Sequence, residues 1–225
     1  MGTLRQLKKF FIVLALCLSS YLAHAQETVL DQFGTAAYTN NNGTRNWATN
    51  WTEAGDGSTG AGSGLVQITG GALRLGSSGS ATGTTVNIQR SVDLSGVNSA
   101  TLTFSIAQTG IDTSGDSVVI EVSGDGGTTY ITPVLDEFRT TGLGNETYTL
   151  PVASLSATTA IRFRVAEGLE SGEYFTVDNV QISFTSNAPG YKSVALTKDG
   201  DGGGTITTGD TLTYTVQYKN ISSSS

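Results

Sequence analysis

Apolar residues recur at every second position along this chain, and that period limits what it can become. In TLTFSIAQ, Leu102, Phe104 and Ile106 share one parity while Thr101, Thr103 and Ser105 share the other. In AIRFRVAE, Ile161, Phe163 and Val165 alternate with Arg162 and Arg164. A period of two sends one set of side chains into a core and the other toward solvent, as in antiparallel sheets packed face to face. Further strands are expected at 65–69, 72–75, 84–90, 117–123, 128–132, 146–150 and 174–184. Turn signals separate them: Gly70-Gly71, Ser95-Gly96 and Asp125-Gly126-Gly127. Short strands at this spacing predict an all-β fold, an antiparallel β-sandwich of the jelly-roll type.

The stretch 174–184 departs from its own period. Phe175 and Val177 lie on one parity, Val180, Ile182 and Phe184 on the other. Burial on both faces would explain this, and so would a bulge near Asp178-Asn179; the bulge is preferred, because one extra residue shifts the register.

The first 25 residues read as a secretory signal. MGTLRQLKK is positively charged, FFIVLALCL is apolar but too short to span a bilayer, and Ala23-His24-Ala25 suits cleavage before Gln26. Cleavage removes Arg5, Lys8 and Lys9 from the 12 basic residues and leaves nine against 19 acidic ones, a net charge of −10. It also removes Cys17 and His24, the only cysteine and the only histidine. Without them no Ser-His-Asp or Cys-His arrangement can be built, and no zinc site of the usual kind. Oxygen chemistry remains: calcium bound by carboxylates and carbonyls, or a carboxylate pair acting on a glycoside. The negative balance argues against nucleic acid and anionic membrane surfaces. The expected partners are extracellular glycans or surface proteins, with no membrane insertion after cleavage and a secreted or cell-surface location.

The string SGDGGTTY at 123–130 resembles the Asp box of sialidase-type propellers. A propeller repeats its box over several blades, and here the string occurs once. It reads instead as a corner after SVVIEVS, where Asp125 accepts backbone N–H groups and Gly126 and Gly127 adopt positive φ.

A sandwich domain is therefore expected over 27–185. TSNAPGYKS, broken by Pro189-Gly190, supplies a linker at 186–193. A second β unit follows over 194–225, and the chain is expected to stop within it, since only two or three strands fit. DGDGGG at 199–204 is calcium-like in composition but lacks a downstream acid at EF-hand spacing, so a solvated turn is preferred.

DGDGGGTITTGDTLTYTVQYKN, with GDTLTY at 209–214 as its specific part, resembles the start of the immunoglobulin-like repeat strung along large bacterial surface proteins. The first unit resembles bacterial jelly-roll modules of the MAM-like and carbohydrate-binding kinds. The likeness is carried in order by DQFGTAAYTNNNGTRNWATNW at 31–51, RSVDLSGVNSATLTF at 90–104, VVIEVSGDGGTTY at 118–130, TAIRFRV at 159–165 and EYFTVDNVQI at 173–182. It implies neighbouring first and last strands whose acids hold a structural calcium, and Asp31 and Asp178 match those positions. Glu53 and Asp56 complete the candidate calcium set. The plain alternative is that Asp31 and Asp178 cap strand ends.

Trp47 and Trp51, with Tyr38, could offer a stacking platform for sugar rings, and Asn46 or Asn50 could bond the hydroxyls. The alternative is that both Trp pack in the core. Arg162 and Arg164 point outward, with Arg90 expected nearby, and could grip a carboxylate or balance neighbouring acids. The reading that follows is a non-catalytic secreted or surface module for adhesion or structural display, stabilised by calcium. The alternative is a carbohydrate-binding module attached to a larger surface protein or glycan-processing enzyme.

Overall fold

The computed structural model describes residues 26–112, 115–140, 143–185, 190–204 and 206–218, so the expected leader with Cys17 and His24 lies outside the described residues. The first unit contains β1 (Gln26–Asp31), β2 (Thr52–Ala54), β3 (Val66–Thr69), β4 (Ala72–Gly76), β5 (Asn87–Val92) and β6 (Ala100–Thr109). It continues through β7 (Ser117–Ser123), β8 (Asp136–Phe138), β9 (Gly144–Thr149), β10 (Thr159–Glu167) and β11 (Tyr174–Thr185). A second unit holds the hairpin β12 (Gly190–Lys198) and β13 (Thr211–Tyr218). No α-helix occurs among the described residues.

The first unit is the antiparallel sandwich that the alternation predicts. One sheet runs β3-β4-β11-β6-β9, with β1 also paired to β11; the other runs β2-β5-β10-β7-β8. Strand β11 is long enough to take β4 along Tyr174–Val177 and β1 along Val180–Thr185, while β6 lines its other edge. Leu102, Phe104, Ile106, Ile161, Phe163 and Val165 all turn inward and are buried. Aromatic rings join the sheets: Phe104 meets Phe163 edge-on at 5.2 Å and Phe138 at 5.9 Å.

The parity break in β11 is a bulge. Asp178 pairs with Ser105 and Gln181 with Thr103, so one extra residue is accommodated between them. Asn179 adopts φ +53, and its N–H donates to Asp178 Oδ1 at 2.6 Å. Phe175, Val177, Val180, Ile182 and Phe184 are thereby all buried despite their mixed parity.

One strand and one boundary differ from the expectation. No strand forms at 128–132; Ile131 N–H donates to Val122 O and Leu135 N–H to Ile120 O, each at 2.9 Å, before β8 begins. Pro133, with no N–H to give, interrupts any ladder there. Strand β12 starts at Gly190, inside the expected linker.

Arg90 occupies an inward position of β5, between the buried Ile88 and Val92, rather than standing near Arg162 and Arg164 on the open face. Its Nη1 donates to Asp31 Oδ2 and to Asn40 O, both at 2.8 Å, and its Nε to Thr49 O at 2.8 Å. Trp51 Nε1 donates to the same Asp31 oxygen at 2.9 Å. The guanidinium lies 5.0 Å from the Trp47 ring and 5.8 Å from Trp51. Burial, opposed by Asp31, brings the Arg90 pKa down to about 10, still far above neutrality.

Removing one member of such a buried pair strands the other charge. Asp31→Ala is expected to cost about 3–5 kcal/mol of unfolding free energy, read from urea denaturation. A loss under 1 kcal/mol would show that the pair is not desolvated as described.

Candidate functional site

The outer face of the second sheet, covered over β7 and part-exposed along β10 and β5, gathers planar polar side chains. Across the strands Arg162 of β10 stands opposite Gln89 of β5 and Glu121 of β7, and Arg164 stands opposite Asn87 and Val119. Directly paired residues share one face, so these groups adjoin. Arg162 Nε and Nη2 each lie 2.7 Å from Glu121 Oε2. Arg164 Nε donates to the same oxygen at 3.1 Å and its Nη2 to Glu121 Oε1 at 2.9 Å. Burial pushes the Glu121 carboxyl up, but Arg164 and Arg162 outweigh it and hold the group below the usual carboxylate range. Farther along, Arg139 bridges Glu167 and Glu137.

Over this fork lies Tyr130. The Arg162 guanidinium carbon is 3.4 Å from its ring centroid, and its hydroxyl donates to Gln89 Oε1. Burial raises the phenol's pKa, with Arg162 opposing. Tyr130 is placed by the corner that precedes it. Asp125 Oδ1 accepts from Thr129 N–H at 2.8 Å and from Ser123 Oγ at 2.7 Å, and Oδ2 accepts from Thr129 Oγ1 at 2.6 Å. Ser123 Oγ in turn accepts the N–H groups of Asp125 and Gly127. The bonds from Thr129 and Ser123 hold the Asp125 carboxyl at a pKa of about 2. Gly127 has φ +91, and a Cβ there would come within 2.7 Å of Gln89 Oε1 and 3.0 Å of Tyr130 Oη.

The eight expected site residues lie elsewhere. Trp47 and Trp51 are 5% and 3% exposed and pack tilted against each other with ring centroids 5.9 Å apart, so neither ring offers an open face. Tyr38 is half-buried and donates to Glu53, while Asn46 is exposed on the same loop. Asp31 is engaged by Arg90, Trp51 and the Phe33 N–H. Asp178 lies within electrostatic reach of it; burial, then Asp31, raises the Asp178 pKa. Burial and Asp56 likewise raise Glu53 against the bond from Tyr38. Asp56 itself accepts the N–H groups of Ser58, Leu65 and Val66. The four acids thus fall into two pairs, Asp31 with Asp178 and Glu53 with Asp56. Among the described residues, two other trios bring carboxylate oxygens within 4.8 Å of one another: Asp112, Asp116 and Glu173, and Asp199, Asp201 and Asp210. In the second trio backbone N–H groups of Gly200, Gly202, Gly203, Gly204 and Thr207 fill the carboxylates, the turn expected at DGDGGG.

No protein-family model matches this chain, and no curated protein does. Among solved structures it is similar to the CBM22-1-GH10 modules of endo-1,4-beta-D-xylanase 10B from Clostridium thermocellum, complexed with xylohexaose, at 12% identity and TM-score 0.42. That match covers 72% of this chain and only 29% of the xylanase chain. A cleaved adhesin domain of Lys-gingipain from Porphyromonas gingivalis matches at 14% identity and TM-score 0.44, over 71% of this chain and 99% of that one. A CBM29-2 mutant complexed with cellulohexaose matches at 15% identity and TM-score 0.39, over 71% and 94%. At these identities and scores the likenesses carry no functional assignment.

The corner makes two measurable demands. Because the folded Asp125 pKa lies below its ordinary 3.8, the support it gives is full above about pH 4 and lost as pH falls through about 2. The Thr129 amide resonance is expected to titrate with a midpoint near pH 2; a midpoint near 4 would mean its bonds to Asp125 do not form. Gly127→Ala is expected to cost at least about 1–2 kcal/mol from backbone strain alone and to displace Tyr130, seen as lost Tyr130–Gln89 contacts by NMR.

Proposed function

We propose that the first unit is a non-catalytic carbohydrate-binding module, extracellular or at the cell surface, whose ligand lies along the open face of the second sheet. The observation that carries this reading is the half-buried Tyr130 ring set among Gln89, Arg162, Arg164 and Glu121. A pyranose presents apolar C–H groups to an aromatic surface and hydroxyls to its rim. Planar amide and guanidinium groups satisfy such hydroxyls in pairs, and their fixed orientation lowers the cost of ordering them.

Glycan binding is favoured over simple structural display because this polar layer is already organised. The Arg162 and Arg164 side chains are 20% and 27% exposed, while Glu121 beneath them is 7% exposed. The chemistry speaks against hydrolysis at this face. A glycosidase acid needs a raised pKa, whereas the Glu121 pKa is lowered and its oxygens receive two guanidinium groups. Glu137 is bonded by Arg139 and Ser117.

A glycan array followed by calorimetry on the best hit tests the proposal. Tyr130→Ala is expected to weaken binding by roughly three- to tenfold, with a smaller fall in melting temperature than a core truncation causes. Trp47→Ala, which alters only the core, is expected to lower the melting temperature by several degrees. Undiminished binding by the Tyr130 variant would remove this face from consideration.

A further inference from the structure

Resting on that reading, we infer that the preferred ligand is an acidic glycan, its uronate carboxylate received by Arg162 and Gln89 beside Tyr130. The face is rich in donors and poor in acceptors. Glu121 Oε2 already receives three N–H contacts and Oε1 one. Gln89 Oε1 takes the Tyr130 hydroxyl, which leaves the Gln89 amide nitrogen to donate. Arg162 commits Nε and Nη2 to Glu121, and its guanidinium also bonds the Tyr130 hydroxyl. Arg164 Nη1 reaches only Val165 O, at a marginal 3.5 Å. Asn87, the register partner of Arg164, turns its amide nitrogen to Thr85 O.

The remaining capacity therefore includes N–H groups held in place by Glu121, alongside the Asn87 Oδ1 acceptor. Within the fork two guanidinium groups share one carboxylate. Nearby Asp125 is turned into its own corner, and Glu137 and Glu167 are held by Arg139. A hydroxyl can use these donors, but it also brings a proton that needs an acceptor. A carboxylate brings only lone pairs, and a planar one fits a guanidinium edge.

The test is calorimetric titration of the full chain with tetragalacturonate and with a glucuronate-bearing xylo-oligosaccharide, against xylohexaose and cellohexaose. At least one acidic oligosaccharide is expected to bind tenfold or more tighter than either neutral one, and to lose affinity as salt rises. Arg162→Gln is expected to weaken the acidic ligand ten- to hundredfold, and the neutral ligands by a clearly smaller factor. Arg162→Lys, which keeps the charge without the planar fork, is expected to recover only part of that loss. Neutral binding as tight as acidic would overturn the inference while leaving the carbohydrate-binding reading in place. Absence of binding to these ligands and to the whole glycan array would end both.

Discussion

One carboxylate and one guanidinium, enclosed between the sheets, set the geometry on which the rest depends. Asp31 ends β1 in the first sheet and Arg90 sits in β5 of the second, so their bond crosses the core. Desolvating each ion costs several kcal/mol, and the geometry has to be good for attraction to offset it. Here Thr49 O, Asn40 O and the Trp51 indole supply additional bonds, and the two Trp rings exclude water. The pair also selects a register. Sliding β5 by one residue would bring Arg90 to solvent and Gln89 into the core, taking the amide away from Tyr130 and Arg162. An inward charge thus fixes the outward display on the opposite side of the same strand.

Long strands with one wet face were readable because burial imposes their period. Strand β7 was delimited at 117–123 from its sequence, and the register shift in β11 was visible as a change of parity around Asp178 and Asn179. Strands β2 and β8, of three residues each, carry too few alternations to announce themselves. Strand β1 begins where the expected leader ends, and its alternation is short. At 128–132 the residues have strand-like character, yet the chain follows the β7 edge with isolated bonds only. Local preference there yielded to the corner before it and Pro133 after it.

The site was less legible than the fold, for a specific reason. Composition marked Trp47 and Trp51, and the family resemblance marked Asp31, but conspicuous residues are equally suited to a core. Trp51 and Asp31 in fact bond each other under Arg90. Arg162 and Arg164 were seen to face outward. Their partner Glu121 stood unremarked inside SVVIEVS, because pairing across strands cannot be read along one strand. Tyr130 appeared as the last letter of a turn motif and within an expected strand at 128–132, not as a site residue. The turn's bonds through Asp125 and Ser123 are what deliver that ring to the sheet face, a relation that exists only once β5, β7 and β10 lie side by side.

The pairing of Gln26 with Thr185 has a mechanical consequence. The strand that opens this unit and the strand that closes it run antiparallel, with their outer ends adjacent. Tension applied through residues 26 and 185 would load the rungs of that ladder one after another, starting at the ends, instead of shearing them all together. Strands opened in this way yield at low force. A module tethered at both ends would peel from its first strand, and Asp31, at the far end of β1, would be the last rung to part.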